Sequence, residues 1–419
     1  MSTSDSKTPR VRLLTFNTWG LKFVSKERKA RLQAIAKRIH DSHMEYDVIA
    51  LQEVWVNEDW EFIERLTAEY FPYRRRFFAG IISGPGLAIL SKIPIEETFL
   101  YRFPINGRPS AFWRGDWYVG KSIAVTLLKP LSSDSPPLAI LNSHMHAPYA
   151  LEGDAAYDCH RACQSWDFSK ISRLLSRAGY AVVITGDLNS RPGSLPHKFL
   201  TLETGLVDSW EQLHGVQDLN YIKSLPAQLQ IEIGGTTCDS LLNTWRQDRL
   251  PTEACRLDYA LVDGNRLQTV NAGVSFTENI PNIGSYSDHF AYQCELEVLP
   301  VNPARGTAAR HDDTVRLQYL SEMLSLIDEY KKTSLWQRQW RLSHFWISVV
   351  LIVAMIICTT FTSNIAGWSS IFWVIAVFAV SVTGLIDGLI GFLFGWKEWR
   401  ALEEVRLEIE DCVNGMTRR

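Results

Sequence analysis

The sequence lacks the features that mark several common classes of protein. Its seven cysteines are odd in number and include no Cys-x-x-Cys pair, which argues against a disulfide framework and a zinc site. It has no excess of either charge, because 43 Lys and Arg residues stand against 46 Asp and Glu residues for a net charge of −3. A dedicated nucleic-acid-binding protein normally carries a basic excess, so we expect no nucleic-acid partner. The polar N-terminus has no apolar stretch of a secretory signal, so we expect a reducing, cytosolic environment.

Composition and length indicate a folded protein of more than one unit. Hydrophobic residues make up 46% of the 419 residues and charged residues 21%, which excludes a disordered or collagen-like chain. The chain is about three times as long as a typical single domain. Short β-branched runs alternate with polar loops over residues 10–299, and residues 300–313 then predict a linker.

Residues 10–299 predict a mixed α/β domain. The strand-like runs are 11–19, 46–54, 86–92, 138–147, 181–189 and 256–262, and the helical stretches include 26–43 and 160–179. Polar residues lie at the carboxyl ends of four of these runs, and they are Asn17, Glu53, His144, Asp187 and Asn189. Strand ends are where sheet scaffolds project binding and catalytic groups, so these side chains are candidate site residues.

The C-terminal part contains a long segment without charge. No Asp, Glu, Lys or Arg occurs from Leu342 to Ile386. Residues 345–363 are close in length to the about 20 residues that a helix needs to cross a bilayer core. Residues 363–368 supply a turn, and residues 369–396 are long enough for a second crossing. Lys or Arg flanks the pair at positions 331, 332, 338, 341, 397 and 400. We therefore predict a two-helix transmembrane hairpin with both flanks in the cytosol, rather than an apolar hairpin buried in a soluble core.

Amphipathic stretches lie on either side of this hairpin. One helical face of residues 315–332 carries Leu317, Leu320, Leu324 and Ile327. The tail repeats the pattern with Leu402, Val405, Ile409 and Val413. Asp312 or Asp313 is a candidate N-cap of the first helix. Because both stretches emerge on the same side of the membrane, they can pair with each other or across a dimer.

These features divide the chain into four parts. They are an α/β domain (1–299), a linker with a juxtamembrane amphipathic helix (300–341), a two-span transmembrane hairpin (342–396) and a cytosolic amphipathic tail helix (397–419). Asp387 lies inside the second span. A carboxylate in a membrane is costly and therefore a functional candidate, although near a helix end it can simply reach water.

Six short blocks occur in a fixed order along the α/β domain. They are TFNTWG (15–20), ALQEV (50–54), NSHMHA (142–147), GDLNSRP (186–192), RLDYALV (256–262) and SDHFA (287–291). Each block is weak by itself, but in this order the sequence resembles the DNase I-like endonuclease/exonuclease/phosphatase superfamily. The resemblance implies a DNase I-like four-layer α/β sandwich, with two packed sheets and the site at one edge.

The resemblance also implies a magnesium site. A phosphodiester is anionic and resists attack, so a hard divalent cation must neutralise it, and Mg²⁺ prefers oxygen ligands. Glu53 is the expected charged ligand, with Asn17 beside it and Asp288 assisting directly or through water. We therefore expect Mg²⁺ as the cofactor.

The same resemblance assigns the proton transfers and the phosphate contacts. His289 is the expected general base, since its usual pKa lies near the operating pH, and Asp258 orients it. Asp187 orients or helps to deprotonate the attacking water and stays an alternative principal base. Asn189 and His144 are expected to donate hydrogen bonds to the phosphate as charge develops.

Within that superfamily the chain resembles the neutral sphingomyelinases and the fungal inositol phosphosphingolipid phospholipases C. The shared blocks include EVW (53–55), SGPGLAILSKIPI (83–95), GDWYVGKS (115–122), SHMHAPY (143–149) and the C-terminal hairpin. Residues 115–122 match the phosphate-loop pattern, but the strand-like run SIAVTLL follows where that loop needs a helix, so we expect no nucleotide. The resemblance implies instead a membrane-facing regulatory segment with Asp116, Lys121, Trp117 and Tyr118.

The implied reaction is phospholipase C-type hydrolysis of a membrane sphingolipid to ceramide and a phosphorylated head group. Inositol phosphoceramide and sphingomyelin are both open as substrates. Anionic phospholipid such as phosphatidylserine is the expected activator, acting through the basic flanks and the 112–122 aromatic segment. A homodimer through the transmembrane and flanking helices is a candidate assembly.

Two other interpretations of the function remain open. One is a membrane-tethered phosphoinositide phosphatase of the same superfamily, and the other is a catalytically silent scaffold that binds lipid. For any of them we expect a multi-pass endomembrane protein with both termini and the α/β domain in the cytosol. The endoplasmic reticulum is the first expectation for the organelle, and the mitochondrial outer membrane is the alternative.

Overall fold

The computed structural model describes residues 8–300 and 313–418, and its contacts divide them into two compact units. The sandwich unit comprises the described residues up to Asn106 together with those from Tyr118 to Tyr319. The helical unit comprises residues Gly107–Trp117 and those from Leu320 onward. Contacts, and not chain order, define this division, so the four-part division along the chain stays a prediction.

The secondary structure of the described residues matches the predicted mixture. The strands are β1 (Arg10–Asn17), β2 (Val48–Gln52), β3 (Tyr73–Arg76), β4 (Ala88–Ser91), β5 (Ile95–Arg102), β6 (Ser122–Leu128), β7 (Leu138–His144), β8 (Ala181–Asp187), β9 (Val207–Asp208), β10 (Asp258–Val262), β11 (Leu267–Ser275), β12 (Asn279–Ile280), β13 (Gly284–Ser285) and β14 (Ala291–Val298). The α-helices are α1 (Arg28–Asp41), α2 (Asn57–Thr67), α3 (Asp116–Val119), α4 (Asp158–Arg177), α5 (Leu195–Lys198), α6 (Ser209–His214), α7 (Leu219–Ser224), α8 (Ala227–Glu232), α9 (Asp313–Thr362), α10 (Ser369–Leu389) and α11 (Gly395–Thr417).

The sandwich unit contains two six-stranded sheets. The first has the order β11-β14-β1-β2-β4-β3 and the second the order β5-β6-β7-β8-β10-β9. Each sheet has one parallel pair at its centre, β1 with β2 and β7 with β8, and the neighbouring pairs are antiparallel. Because parallel strands end at the same edge, the residues that close β1, β2, β7 and β8 are brought to one edge of the sandwich.

Apolar side chains fill three layers between the sheets and helices. One buried cluster lies between the sheets, where Val11, Val48 and Ile140 are among its members. A second packs Leu32 and Ile35 of α1 against the first sheet, and a third packs the second sheet against elements that include α4. Alternation of side chains along each strand supplies both faces. The predicted four-layer α/β sandwich is confirmed.

A buried polar contact joins the two sheets beneath the edge that carries the strand ends. Gln52 Nε2 donates to Asn142 Oδ1 at 2.8 Å and to Thr15 Oγ1 at 3.0 Å. Asn142 Nδ2 in turn donates to the Leu51 and Ala88 carbonyls at 3.1 Å. Because buried amides must find partners, this network fixes how β2 and β7 face each other.

The helical unit consists of two long antiparallel helical rods and a short inserted segment. α9 runs without a break through the predicted juxtamembrane helix and first span, because no Gly or Pro interrupts residues 314–362. The predicted turn at 363–368 follows, and a π-helical stretch, Ile390–Phe394, joins α10 to α11. Both rods are long and apolar enough to be candidate membrane spans, and their apolar stretches are almost wholly exposed.

The charged ends of the two rods pair with each other within the chain. Glu398 of α11 accepts hydrogen bonds from Tyr330 Oη at 2.7 Å and Ser334 Oγ at 2.9 Å, and Lys331 forms an ion pair with Glu403. Five residues of the predicted apolar faces, Leu320, Ile327, Leu402, Val405 and Ile409, are buried, whereas the other three, Leu317, Leu324 and Val413, are half-buried. Pairing within the chain was one of the two predicted arrangements. Asp313 lies in the first turn of α9, whereas Asp312 falls outside the described residues.

Candidate active site

Asn17 joins two carboxylates at the edge of the sandwich. β1 and β8 end at Asn17 and Asp187, and Glu53 directly follows the end of β2. The Asn17 Nδ2 donates to Glu53 Oε1 at 3.1 Å and to Asp187 Oδ2 at 2.9 Å. Its Oδ1 accepts a hydrogen bond from the Trp19 amide at 3.0 Å. One amide side chain thus links carboxylates that belong to the two different sheets.

The backbone at Glu53 has a conformation that side-chain-bearing residues seldom adopt. Its φ is 60°, in the left-handed region where a non-glycine residue costs about 1 to 3 kcal/mol. Gly20 lies against it, because a Cβ at position 20 would come within 2.2 Å of the Glu53 carbonyl oxygen. Trp55 Nε1 donates to Glu53 Oε2 at 3.3 Å. The chain around Glu53 is therefore built so that its carboxylate turns into the site.

His289 is held by a carboxylate on one ring nitrogen. It precedes β14, and its Nδ1 lies 2.8 Å from Oδ2 of Asp258, which opens β10 in register with Asp187. Its Nε2 lies 3.8 Å from Asp187 Oδ2 and 3.6 Å from Cys238 Sγ. Burial by itself would lower the pKa of His289, but the Cys238 thiol and the two carboxylates outweigh it and raise that pKa well above its usual value. With Nδ1 occupied by Asp258, Nε2 is the nitrogen oriented to accept a proton.

His144 and Asn189 complete the ring around Asp187. His144 closes β7 in register with Asp187, with Nε2 at 3.5 Å from Asp187 Oδ2 and Nδ1 at 3.9 Å from Glu53 Oε1. The Asn189 amide N–H donates to Asp187 Oδ1 at 3.1 Å, and its Nδ2 donates to the Met145 carbonyl at 3.1 Å. Lys121 Nζ donates to the same carbonyl at 3.2 Å. The structure therefore brings Lys121, from outside the six blocks, to the same edge.

Asp288 is paired with an arginine that the sequence did not single out. Arg246 forms an ion pair with its Oδ2, and Ser287 Oγ lies 3.3 Å from its Oδ1. Ser287 Oγ also donates to the Asn17 carbonyl at 2.7 Å, which ties the SDH block to the end of β1. Asp288 thus reaches the site together with Asn17, already carrying one positive partner.

Burial raises the pKa of two carboxylates at this edge, Glu53 and Asp187. Desolvation raises the pKa of Glu53, the charge of Asp288 adds to this, and Lys121 opposes it. Desolvation also raises the pKa of Asp187 to about 7, with His289 opposing it. Acidic groups shifted upward in this way lack compensating positive charge, and a bound cation would favour their ionised forms.

Two groupings of side chains in the described part of the chain are candidates for holding a divalent cation, and the first is Glu53, Asn17 and Asp288. Glu53 bears a half-buried carboxylate and Asp288 a buried one, the donor type that Mg²⁺ prefers. A second grouping in the described part of the chain, Asp187, Asp258 and His289, has its ligand atoms within 4.8 Å of one another. The hydrogen bond between His289 and Asp258 explains that proximity and occupies the imidazole Nδ1. Both groupings stay candidate cation sites.

The four predicted regulatory residues do not lie in one compact unit. Asp116 and Trp117 belong to the helical unit, whereas Tyr118 and Lys121 belong to the sandwich unit. Asp116 is buried in the first turn of α3, and the Trp117 ring lies 4.9 Å from Phe394. The Tyr118 carbonyl accepts a hydrogen bond from the Ile81 amide at 2.8 Å. The 115–122 segment leads into strand β6 and not into a helix.

Arg31 supports the site from α1 and was missed by sequence reasoning. Its buried guanidinium donates to the Thr18, Trp19 and Tyr286 carbonyls and lies 4.5 Å above the Trp19 ring. It therefore fixes the two loops that follow Asn17 and precede Asp288. Burial lowers its pKa to about 10. Arg31 sits in the charged run KERKAR (26–31), which carries no signal that separates one arginine from its neighbours.

Comparisons with known proteins agree with this geometry. The model of the endonuclease/exonuclease/phosphatase family matches residues 14–289. Inositol phosphosphingolipids phospholipase C of Saccharomyces cerevisiae is 56% identical, over 97% of this chain and 91% of that protein. The protein of the same name from Schizosaccharomyces pombe is 36% identical, over 97% and 95%. The crystal structure of Staphylococcus aureus beta toxin aligns with a TM-score of 0.51 at 17% identity, over 68% of this chain and 99% of that chain, a likeness of fold alone.

Proposed function

We propose that this chain, a member of the endonuclease/exonuclease/phosphatase family, hydrolyses phosphosphingolipids to ceramide and a phosphorylated head group. Within that family it belongs to the neutral sphingomyelinases and inositol phosphosphingolipid phospholipases C, which is the premise of the proposal. It is a phosphodiester hydrolase. The observation that carries the proposal is His289, which is bound by Asp258 at Nδ1 and turns Nε2 towards Asp187.

The side chains of the site divide the chemical work. His289 takes a proton from water at Nε2, and Asp258 stabilises the imidazolium that forms. Asp187 orients the water, and Asn189 and His144 stabilise the negative charge that develops on the phosphate oxygens. The water oxygen bonds to phosphorus as the bond between phosphorus and the ceramide oxygen breaks. The ceramide oxygen takes up one proton and leaves as an alcohol. The proton that His289 took from water is released to solvent, so the number of protons is unchanged overall.

Glu53 is the principal ligand of the proposed Mg²⁺ site, with Asn17 and Asp288 beside it. When bound, the cation neutralises the phosphodiester charge and acts as a Lewis acid. Asn17 then has two tasks, because it also keeps Glu53 and Asp187 together through the bonds at 3.1 and 2.9 Å. The raised pKa of Glu53, caused mainly by burial, supports a cation there.

The helical unit supports anchoring in a membrane. The two candidate spans carry Lys and Arg at their shared end, which favours a cytosolic position for that end. A catalytic unit tethered in this way meets its lipid at high effective concentration. We propose an endomembrane such as the endoplasmic reticulum, with the sandwich unit in the cytosol.

A basic, aromatic cavity in the helical unit supports activation by anionic phospholipid. It has a volume of about 310 Å³ and is formed by the 107–117 segment and α9. The lining side chains that bear on charge and stacking are Arg108, Arg114, Arg341, Trp113, Trp336 and Trp340. Guanidinium groups recognise phosphate oxygens, and tryptophan suits the membrane interface. A phosphatidylserine head group fits this chemistry.

The yeast relatives' names favour inositol phosphate as the head group over choline phosphate. Residues 210–250 contribute Trp245, whose ring lies 5.6 Å from that of Trp19. Asn243 of the same region donates to the Ser287 carbonyl at 2.9 Å, next to Asp288. Both residues therefore reach the site edge, where polar groups that bind a polyol are available.

The test is Mg²⁺-dependent head-group release by the full chain in mixed micelles. The lipids are inositol phosphoceramide, sphingomyelin, phosphatidylcholine and phosphatidylinositol 4,5-bisphosphate. We expect ceramide from the first two, with inositol phosphoceramide preferred, and loss of release in His289→Ala. The exposed His214 supplies the matched control His214→Ala. Free phosphate from the phosphoinositide alone would make the chain a phosphatase, and no release from any lipid would contradict catalysis.

A further inference from the structure

Three loops leave the same corner of the active-site edge. The first rim loop (18–27) follows β1, the second (77–87) joins β3 to β4, and the third (145–157) follows β7. All three begin or end near Glu53. In the first loop Gly20 packs on the Glu53 carbonyl, and in the second the Gly86 carbonyl accepts a hydrogen bond from the Val54 amide at 2.9 Å. The third loop follows His144, which lies 3.9 Å from the Glu53 carboxylate.

Each rim loop exposes large apolar side chains. Phe23 is 95% exposed, Ile82 75% and Leu151 76%. Their neighbours Val24, Phe78 and Ile81 are also exposed. Single exposed apolar residues are ordinary, but three neighbouring loops that all present them mark an interaction surface.

Charge next to the first rim loop favours one kind of partner. Lys22, Lys26 and Lys29 are exposed, and Glu27 is the exposed acid among them. The Lys22 ammonium lies 5.6 Å from the centre of the Phe23 ring. The apolar tip of the first loop, flanked by lysines, suits a bilayer interface, where the ring enters the acyl region and the ammonium groups meet anionic head groups. Leu151 of the third loop is instead followed by the exposed acids Glu152 and Asp154, so its contribution to docking would be apolar alone.

We propose that the three rim loops dock the active-site edge of the sandwich unit onto the lipid surface, with Phe23, Ile82 and Leu151 inserted. The occupant is the bilayer that the chain's own candidate spans would enter. A lipid that reacts at the edge marked by Glu53 must rise partly out of the bilayer. Insertion of the rim around that edge shortens this path. This inference goes beyond the proposed function. It depends on the proposed function only in the kinetic experiment below, which measures turnover.

Photo-crosslinking tests the insertion without any need for activity. Benzoylphenylalanine replaces Phe23, Ile82 or, as a control, Leu174 in the full chain, held in nanodiscs of phosphatidylcholine and phosphatidylserine in equal amounts. Leu174 is 62% exposed near the end of α4, which runs from the active-site edge towards the opposite edge. We expect lipid adducts at 23 and 82 and none at 174. Adducts with protein, or equal lipid labelling at all three positions, would overturn the proposal.

Kinetics supply the second arm. Phe23→Ser combined with Ile82→Ser should raise the interfacial KM for phosphosphingolipid by at least about tenfold, since loss of one large buried apolar side chain already corresponds to about that factor. The kcat at saturating lipid should change far less, and Leu174→Ser should change neither value. A fall in kcat with an unaltered KM would overturn docking. If the unaltered chain releases no head group, the proposed function fails, whereas the crosslinks still report on the loops.

Discussion

The imidazole Nδ1 of His289 lies 2.8 Å from Oδ2 of Asp258, and both groups are buried. This contact crosses between the two sheets, because Asp258 opens β10 of the second sheet and His289 leads into β14 of the first. The second ring nitrogen, Nε2, lies 3.8 Å from Asp187. The packing of the two sheets therefore positions His289, the proposed base.

Asp258→Asn should lower the maximal kcat by about two to four orders of magnitude, because the imidazole loses its fixed orientation and the carboxylate that stabilises its charged form. It should also move the pH profile. Neighbouring negative charge raises the pKa of His289, and the base works only when neutral, so activity rises as pH rises through that pKa. Removal of one negative neighbour shifts the rising limb of kcat/KM to lower pH.

Asp263→Asn is the matched control for this substitution. Asp263 directly follows β10 at its opposite end and is also buried, but it pairs with Arg266 and Ser176. It should leave the pH profile in place, whatever it costs in stability. A rising limb that stays fixed in Asp258→Asn would contradict the assignment of His289 as the base.

Glu53→Gln should weaken Mg²⁺ binding by at least about a hundredfold, because the site loses its principal charged ligand. Binding can be followed without substrate. In the unaltered chain, Mg²⁺ at a hundred times its Kd should stabilise the fold by about 2.7 kcal/mol, seen as a higher Tm. Glu97→Gln, an exposed carboxylate on β5, is the control and should keep the full shift. Equal shifts in both variants would contradict the ligand assignment.

The same experiment has a pH dependence with a definite sign. Burial raises the pKa of Asp187 to about 7, so the folded chain favours the protonated acid. Without Mg²⁺, ionisation of this group should cost stability as pH rises from the ordinary carboxylate value of about 4 towards 7. A cation at the site favours the ionised forms, so Mg²⁺ should flatten this decline in Tm.

The sequence predicts much of this edge because parallel strands bring their ends together. Asn17, Glu53, His144 and Asp187 lie near the carboxyl ends of predicted strand runs, and the observed strands end at these residues or just before them, so local patterns suffice to place them. Their partners follow from tertiary packing. The Asp288–Arg246 pair spans 42 positions, and Arg31 stands among similar charges on a helix, so nothing local distinguishes either arginine.

The C-terminal helices show the same limit. Apolar length predicts the two candidate spans and their turn, which depend on local composition. The sequence did not reveal that residues 107–117 pack within the helical unit, because that contact joins positions more than 200 residues apart. The sequence likewise left the partner of Asp387 open, because the pattern of charges along the chain does not determine which basic side chain lies next to this carboxylate.

Lys121→Met should lower kcat by at least about tenfold, since a positive charge near two buried carboxylates is lost. The ammonium lowers the pKa of Glu53 and Asp187, so both values should rise in the variant. Lys121→Arg keeps the charge and should rescue part of the activity. Lys92→Met is the control, because Lys92 likewise donates to a backbone carbonyl, that of His43 at 2.6 Å, and has no place among the site residues. Normal kinetics in Lys121→Met would contradict a functional role of Lys121. Asp116→Ala, in the same 115–122 segment, should also reduce turnover.

The last prediction concerns the ion pair inside the helical unit. Arg341 Nη1 lies 2.6 Å from Asp387 Oδ1, and Arg341 Nη2 donates to the Ser110 carbonyl at 2.8 Å. Asp387 is buried within α10, with His344 Nδ1 at 2.7 Å from its other oxygen. Arg341→Met should destabilise the helical unit by about 3 to 5 kcal/mol, because it removes the strongest partner of a buried carboxylate. Thermal unfolding of the full chain in nanodiscs measures the effect.

The double variant separates the charge from the packing. Arg341→Met combined with Asp387→Leu replaces both ions with apolar side chains and should recover most of the lost stability. Arg338→Met, one turn earlier in α9, removes an arginine that donates to the Gly391 carbonyl at 3.0 Å and not to a carboxylate. It should cost about 1 kcal/mol, the usual net value of one hydrogen bond. If Arg341→Met costs no more than Arg338→Met, or if the double variant is no more stable than Arg341→Met alone, the pair does not anchor this end of the rods. Asp387 would then regain its standing as a functional carboxylate.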